Sequence, residues 1–149
     1  MLIGEAVGAG WEVESEFVAP GGAPVTVAPV FELADGVLER VASTERPQPN
    51  MAIVRMPTGA TSLEQVAFVV VLDELNDPGN LGTIVRSAEA AGVDAVVLTP
   101  GSVDPFNPKV VRASAGALFH VPIVAATLAD VRAAGLRLLG TSSHRGDRH

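Results

Sequence analysis

The sequence lacks several features that would point to common kinds of site. It contains no cysteine among its 149 residues, which excludes disulfide scaffolds, thiol catalysis and zinc sites built on cysteine, and is compatible with a reducing cytoplasm. Charged residues make up only 18% of the chain and hydrophobic residues 48%, a composition that excludes a disordered protein. The longest apolar run, Val66–Leu72, is far too short to span a bilayer. The amino terminus has no basic segment and carries Glu5 in its apolar stretch, so no signal peptide is expected.

Positive charge is also scarce. Ten Lys and Arg residues face seventeen Asp and Glu residues, for a net charge of −7, which by itself argues against a nucleic-acid partner. The distribution is uneven, however, because residues 1–64 carry nine acidic and three basic side chains, whereas residues 65–149 carry eight and seven. An anion-binding site is therefore expected in the second part of the chain.

The first part of the chain predicts a small α/β unit. Apolar residues alternate with glutamates around Trp11–Val18, which is typical of a half-buried strand. The other predicted elements are helices at Leu2–Ala9 and Val37–Ala42 and strands at Val25–Val30 and Met51–Met56.

The second part of the chain predicts a parallel, doubly wound α/β sheet, because short apolar strands alternate with helical patterns. The predicted strands are Phe68–Leu72, Ala95–Leu98, Val121–Val124 and Leu136–Leu139. The predicted helices run from about Leu81 to Gly92, from Pro108 (capped by Asn107) towards Leu118, and from a Thr127 cap to Ala134. Residues 140–149 contain no apolar side chain, so the sheet is expected to be incomplete at its carboxyl-terminal end.

The loop after the first of these strands is one candidate site, since open α/β sheets bind ligands beyond the carboxyl ends of their strands. Asn76 and Asn80 lie near a helix start, where free N–H groups favour an anion, and Arg86 follows nearly two turns later. An Asn80 N-cap and an exposed Arg86–Glu89 pair explain the same residues, and the residues alone favour this simpler interpretation because caps and surface pairs are common.

The second strand is followed by another candidate, the segment from Asp104 to Ala117. Lys109 and Arg112 lie one turn apart on the predicted helix and could bind a phosphate, or could simply form a solvated basic face. Ser114 and Gly116 either take part in this site or allow close helix packing.

Other motifs carry little chemistry. The chain has no GxGxxG, no P-loop lysine motif and no GxSxG, so nucleotide hydrolysis and esterase activity lack support. His120 stands alone beside a predicted strand. His144, Asp147 and His149 lie in a tail without apolar neighbours, so no metal site is expected there.

Taken together, Leu72–Gly92 and Asn107–Pro122 closely resemble the first two sequence blocks of the SpoU-type (TrmH-like) RNA methyltransferases of the SPOUT superfamily. The resemblance covers residues 66–140 well, and it implies S-adenosylmethionine-dependent methylation of a ribose 2′-hydroxyl in rRNA or tRNA. It also implies a cytoplasmic homodimer with a trefoil-knotted carboxyl-terminal half. Asn80 and Arg86 match the family's functional asparagine and arginine, and Asn76, Lys109, Arg112 and Ser114 are expected to contact the RNA substrate.

The resemblance divides the chain into four parts. Residues 1–58 are expected to be part of an RNA-substrate-binding α/β domain, 59–65 a linker, 66–140 the first part of the methyltransferase domain, and 141–149 a polar tail. The family's later glycine–glutamate loop and Ser-Leu-Asn block, which form the knot and the donor pocket, are not found in this sequence. The chain is therefore expected to bind the donor poorly, to contribute no donor-binding residue, and to dimerise only if the interface survives without that half.

Two alternatives remain beside a truncated methyltransferase. One is a non-catalytic RNA-binding or accessory module that uses Arg86, Lys109 and Arg112 on phosphates. The other is an α/β remnant without a stable fold of its own.

Overall fold

The computed structural model describes residues 2–42, 44, 46–57, 59 and 61–141. The described residues form two three-stranded sheets, one on each side of residue 60. His144, Asp147 and His149 lie outside the described residues, as does most of the predicted tail. Within the described part, no group of three or more His, Asp or Glu side chains is placed to hold a metal ion. The helices of that part are all too short or too polar to cross a membrane.

The first sheet is mixed, with the order β2-β1-β3. Strand β1 (Val13–Val18) pairs in parallel with β2 (Val30–Glu32) and antiparallel with β3 (Asn50–Val54). Helix α1 (Leu2–Gly8) precedes it, and α2 (Val37–Val41) lies between β2 and β3.

A buried carboxylate overturns one predicted strand of this unit. Glu16 is 0% exposed, and its side chain accepts hydrogen bonds from the backbone amides of Val25 and Thr26, from the Thr26 hydroxyl and from the Asn50 side chain. The prediction of a strand at Val25–Val30 is wrong, because these amides bond to Glu16 instead of a neighbouring strand. Burial acts to raise the pKa of Glu16, but its hydrogen bonds outweigh burial and hold that pKa below its usual value.

The second sheet is parallel throughout and confirms the predicted α/β class. Its order is β4-β5-β6, formed by Val69–Leu72, Ala95–Leu98 and Ile123–Ala125. Central strand β5 is buried at every residue, whereas β4 is only half-buried because, of the described strands, it pairs with β5 alone. Leu81, Val85 and Ala88 of helix α3 (Pro78–Ala90) pack on this sheet and form most of the core with Val96, Leu98 and Val110.

Two further predictions about this sheet are wrong. Helix α4 (Pro108–Ala113) does not reach Leu118, because Ala115 and Gly116 adopt left-handed backbone conformations and lead into a 3₁₀ turn at Ala117–Phe119. Leu136–Leu139 is not a strand. The Leu136 amide instead donates to the Val131 carbonyl and closes the end of helix α5 (Leu128–Ala133), whose predicted Thr127 cap is confirmed.

The amino-terminal segment joins the two sheets. The Trp11 ring packs against Phe106 and Phe119, and its indole N–H donates to the Phe119 carbonyl at 3.1 Å. Glu5 lies 3.3 Å from the exposed His120 ring. A Cβ on Gly116 would come within 2.6 Å of the Glu5 side chain, so this close approach requires glycine.

Candidate nucleic-acid interface

The N-cap of helix α3 is not Asn80, the residue that the simpler interpretation of the sequence gives. Asp77, rather than Asn80, is the N-cap, and its carboxylate accepts the Asn80 backbone amide at 2.7 Å. The Asn80 side chain is therefore not used for capping and is exposed in the first turn of the helix. Asn76 is also exposed, with its side-chain amide donating to the Glu74 carbonyl at 2.9 Å.

The start of helix α4 lies beside the start of α3. Asn107 caps α4, as predicted, by accepting the Lys109 amide at 2.9 Å. The Lys109 side chain runs past α3, with its Cε 3.9 Å from the position that a Cβ on Gly79 would occupy. The lysine charge and the positive end of the α3 helix dipole therefore act on the same region.

Gly82 allows this arrangement. A Cβ at Gly82 would lie 2.5 Å from the Ala113 Cβ and 2.8 Å from the Ala113 carbonyl carbon and the Ser114 nitrogen. These atoms are backbone or bound directly to it, so α3 and α4 can touch only because residue 82 has no side chain.

Arg86 lies on the same side of α3 as Gly79 and Gly82. Seven residues separate it from Gly79, which at about 3.6 residues per turn is nearly two full turns. Asn80 is six residues from Arg86, so the two side chains leave the helix about 120° apart and about 9 Å apart along its axis. Arg86 therefore lies nearly two turns along the side of α3 that Lys109 runs past, whereas the Asn80 side chain leaves the helix in another direction.

The Arg86 side chain is exposed and, in the part of the chain that the structure describes, is not neutralised by an acidic neighbour. Among the described residues it forms no ion pair, and the alternative Arg86–Glu89 pair is absent. An exposed guanidinium of this kind can bind a phosphate through two parallel hydrogen bonds.

Two of the predicted site residues lie elsewhere. Arg112 is exposed and lines a cavity of about 350 Å³ next to the first unit, together with Leu38, Val41 and Met51. Ser114 is 1% exposed, and its hydroxyl donates to the Val111 carbonyl at 2.8 Å. Ser114 therefore lies in the contact between α3 and α4 and does not present its hydroxyl to solvent.

Sequence reasoning missed Thr99, which directly follows β5 and is 6% exposed. Its hydroxyl donates to the Asp73 carboxylate at 2.8 Å and accepts the Glu74 amide at 2.9 Å. The only sequence signal was a polar residue directly after a buried strand.

A larger cavity of about 560 Å³ opens beyond the carboxyl ends of β5 and β6. Its walls are mostly apolar, with Val103, Phe106 and Ile123 among them. The carboxylates at its edge are already used within the protein, because Asp104 accepts the Phe106 amide and Asp130 accepts the Thr127 amide and hydroxyl.

Comparisons with known proteins agree on one family. Residues 67–149 match the model of the SpoU rRNA Methylase family. The chain is 38% identical over 120 residues to the 23S rRNA (guanosine(2553)-2′-O)-methyltransferase RlmP of Bacillus subtilis, an alignment that covers 78% of this chain and 48% of that protein. It is 53% identical over 72 residues to the mitochondrial rRNA methyltransferase 3 of Mus musculus, which covers 48% of this chain and 17% of that protein.

Solved structures give the same result. An AdoMet-bound rRNA methyltransferase from Sinorhizobium meliloti superposes with a TM-score of 0.75 at 28% identity, over 90% of this chain and 54% of that one. An RNA 2′-O ribose methyltransferase superposes with a TM-score of 0.74 at 31% identity, over 95% of this chain and 60% of that one. The chain thus spans about half or less of the length of these curated relatives. The matched family model, the relatives and the shared fold show that the chain belongs to the SpoU rRNA methylase family.

Proposed function

We propose that this chain serves S-adenosylmethionine-dependent 2′-O-methylation of ribose in rRNA or tRNA, and that its own residues hold the RNA. Relatives named as rRNA methyltransferases, one of them a 2′-O-methyltransferase, support the reaction class. The observation that carries the proposal is the single face formed by the start of α3, Lys109 and Arg86. This face combines the positive end of the α3 helix dipole with two positive side chains in a protein whose net charge is −7.

The chemistry of arginine limits the role of Arg86. A guanidinium has a pKa above about 12 and does not accept a proton, so Arg86 cannot act as a general base. It can hold a phosphate in two hydrogen bonds and stabilise negative charge that develops on the ribose oxygen. A fixed phosphate places the adjacent ribose hydroxyl, and methyl transfer depends mainly on such alignment.

The other polar residues extend this RNA surface. Asn80 supplies a neutral hydrogen-bonding group at the helix start without adding charge, and Asn76 does the same in the preceding loop. Arg112 contributes positive charge beside the cavity next to the first unit. Ser114 acts through the close contact of α3 and α4 that it helps to form.

We propose that no donor-binding residue lies among the described residues. S-adenosylmethionine is a cation with several hydroxyl, amine and carboxylate groups, and its site must supply matching partners. In the large cavity, the carboxylates of Asp104 and Asp130 already accept internal hydrogen bonds, and the Thr99 hydroxyl is bonded on both sides. We therefore assign no donor-binding residue within the described part, and we propose that the donor is bound outside it.

Assembly and location follow from the resemblance alone. We propose a homodimer that acts in the cytoplasm, as the family pattern implies. Residues 1–58 are proposed to form part of an RNA-substrate-binding domain, 59–65 a linker, and 66–140 the first part of the methyltransferase domain.

A non-catalytic RNA-binding module is the second candidate. It is favoured by the large cavity, where the carboxylates of Asp104 and Asp130 already accept hydrogen bonds from within the protein. Titration of the chain separately with RNA and with S-adenosylmethionine tests both. We expect RNA affinity to fall with salt, with a slope of log K against log[salt] of about −1.4 for two phosphate contacts on a single strand. We expect no micromolar donor binding by isothermal titration calorimetry.

The outcomes separate the candidates. Micromolar donor binding by this chain alone would show that the donor site has been wrongly placed outside the described residues. RNA affinity without a salt dependence would contradict both candidates, because both require contacts between basic side chains and phosphates. Methylation of RNA by the chain supplied with donor would exclude the non-catalytic module.

A further inference from the structure

The loop between β4 and α3 sets the position of the proposed RNA site, because it leads directly into the α3 helix start. This loop, Asp73–Asp77, follows the last residue of β4, and Thr99 directly follows the last residue of the neighbouring strand β5. The register of the sheet pairs Leu72 with Leu98, so Thr99 lies beside the first residue of the loop.

Thr99 forms one hydrogen bond to the end of β4 and two to this loop. Its backbone amide donates to the Leu72 carbonyl at 3.1 Å, its hydroxyl donates to the Asp73 carboxylate at 2.8 Å, and the same hydroxyl accepts the Glu74 amide at 2.9 Å. The side chain is almost completely buried. Only a hydroxyl can donate and accept at this point, so an isosteric valine would leave a carboxylate and an amide without these partners.

Glu74 shows why the bonds matter. Its φ of 52° is in the left-handed region, which a residue with a side chain rarely adopts. The amide of Glu74 is held by Thr99, and its carbonyl accepts the Asn76 side chain. The unfavourable conformation is therefore maintained by hydrogen bonds on both sides of the residue.

Further hydrogen bonds connect the loop after Glu74 to the start of helix α3. The Leu75 carbonyl accepts the Val103 amide at 2.8 Å, which fixes the middle of the loop. Asp77 then caps the helix by accepting the Asn80 amide. A change at Thr99 thus reaches Asn80 through a short chain of bonded residues.

We propose that Thr99 is a positioning residue of the RNA site, which acts by holding Glu74 in its left-handed conformation and thereby placing Asn76, Asp77 and the amino-terminal turn of α3. The inference rests on the proposed function, since the site that Thr99 places is the proposed RNA site. Thr99 itself does not contact RNA.

The experiment compares Thr99→Val, Thr99→Ser and the double variant Thr99→Val/Glu74→Gly in the full chain. We expect Thr99→Val to weaken affinity for a single-stranded RNA about fivefold to tenfold, which corresponds to the loss of one hydrogen bond. Thr99→Ser keeps the hydroxyl and should stay within about twofold of the parent. The double variant should regain most of the affinity, because glycine adopts the left-handed conformation without support.

A second readout does not depend on RNA. Hydrogen exchange at the Asn80 amide should become about fivefold faster in Thr99→Val but not in Thr99→Ser. Asp73→Ala removes the carboxylate that accepts the Thr99 hydroxyl and thereby orients its oxygen towards the Glu74 amide, so it should shift both readouts in the same direction by a smaller factor, which keeps the test decisive if Thr99→Val does not fold. Thr127→Val is the matched control, because it removes a hydroxyl from the α5 cap and should change neither readout at the RNA site.

The outcomes are distinguishable from failure of the proposed function. If the parent binds RNA and Thr99→Val binds equally well, the positioning role is wrong. Equal losses in Thr99→Val and Thr127→Val would also overturn it, since they would indicate general destabilisation. If the parent shows no salt-dependent RNA binding, the proposed function fails, and exchange at Asn80 alone decides whether Thr99 places the helix start.

Discussion

Replacement of Arg86 by alanine is expected to weaken RNA binding about tenfold or more. The guanidinium is exposed, and no described acidic residue pairs with it, so its loss removes a contact to RNA without breaking one within the protein. Charge-assisted hydrogen bonds are worth about 1.5–3 kcal/mol, which corresponds to about 10-fold to 100-fold in affinity. Fluorescence anisotropy with a labelled single-stranded RNA would measure the change.

Two comparisons separate the charge of Arg86 from its shape. Arg86→Lys keeps the charge but not the two parallel hydrogen bonds, so it should recover only part of the affinity. Arg132→Ala removes an exposed positive charge from α5, away from the proposed site, and should have little effect. Equal losses for Arg86→Ala and Arg132→Ala would show that only the overall charge of the protein matters.

The same substitution should have a larger effect on catalysis than on donor binding. In a chimera that joins this chain to the remaining length of a full-length relative, we expect Arg86→Ala to lower the rate of methyl transfer about 100-fold. Affinity for S-adenosylmethionine should change little, because Arg86 is proposed to hold RNA only. An unchanged methylation rate would show that the assigned role of Arg86 is wrong.

The second large effect is expected from Gly82→Ala. A methyl group at this position would lie 2.5 Å from the Ala113 Cβ and 2.8 Å from backbone atoms of residues 113 and 114, so helices α3 and α4 must move apart. Overpacking of this kind typically costs about 1–3 kcal/mol, and the better helix propensity of alanine offsets at most about 1 kcal/mol of it. We expect the net loss to lower the midpoint of thermal unfolding by about 3–6 °C.

RNA binding should weaken in the same variant, since separation of the two helices moves Lys109 away from the start of α3. Gly4→Ala is the matched control, because no atom lies within 4 Å of a Cβ built at this position of α1. The control should be neutral or slightly stabilising. If Gly82→Ala is as stable as the parent, the close contact of α3 and α4 is not the reason for glycine at this position.

Local chemistry predicted several elements of this fold correctly. A proline preceded by an Asx residue marked the start of α4, and Thr127 marked the start of α5. The same Asx-proline pair is present at Asp77–Pro78 and marks Asp77 as the cap of α3. The simpler interpretation placed this cap at Asn80 because it did not use that pair. Strand β5 was predicted with its observed bounds because every one of its residues is buried and apolar.

The errors arose where distant residues decide the local structure. The amides of Val25 and Thr26 bond to a carboxylate nine and ten residues away, so their apolar, β-favouring sequence does not become a strand. Leu136–Leu139 has a strand-like composition, but its first amide is used to close α5 and the segment pairs with no described strand. Strand formation requires a partner for each backbone group, and the local sequence does not show whether one exists.

Residues of the candidate site were predicted from the sequence, but their arrangement in space was not, because it too depends on contacts between distant residues. Arg86 and Lys109 were identified as candidate residues from their positions after strand ends. Their arrangement along one side of α3 depends on the contact of α3 with α4 through Gly82. The place of Arg112 beside the first unit depends on contacts between residues that are distant in the sequence. Thr99 acts through the register between β4 and β5, which single-sequence patterns do not reveal.

An RNA phosphate is proposed to bind where α3 and α4 begin, and nuclear magnetic resonance tests this directly. Addition of a short single-stranded RNA to isotope-labelled protein should shift the backbone amide signals of Gly79, Asn80 and Lys109 and the side-chain Nε–H signal of Arg86 more than any others. Added salt should reverse these shifts. Shifts that are confined to the first sheet, or that leave the starts of α3 and α4 unchanged, would contradict the central claim.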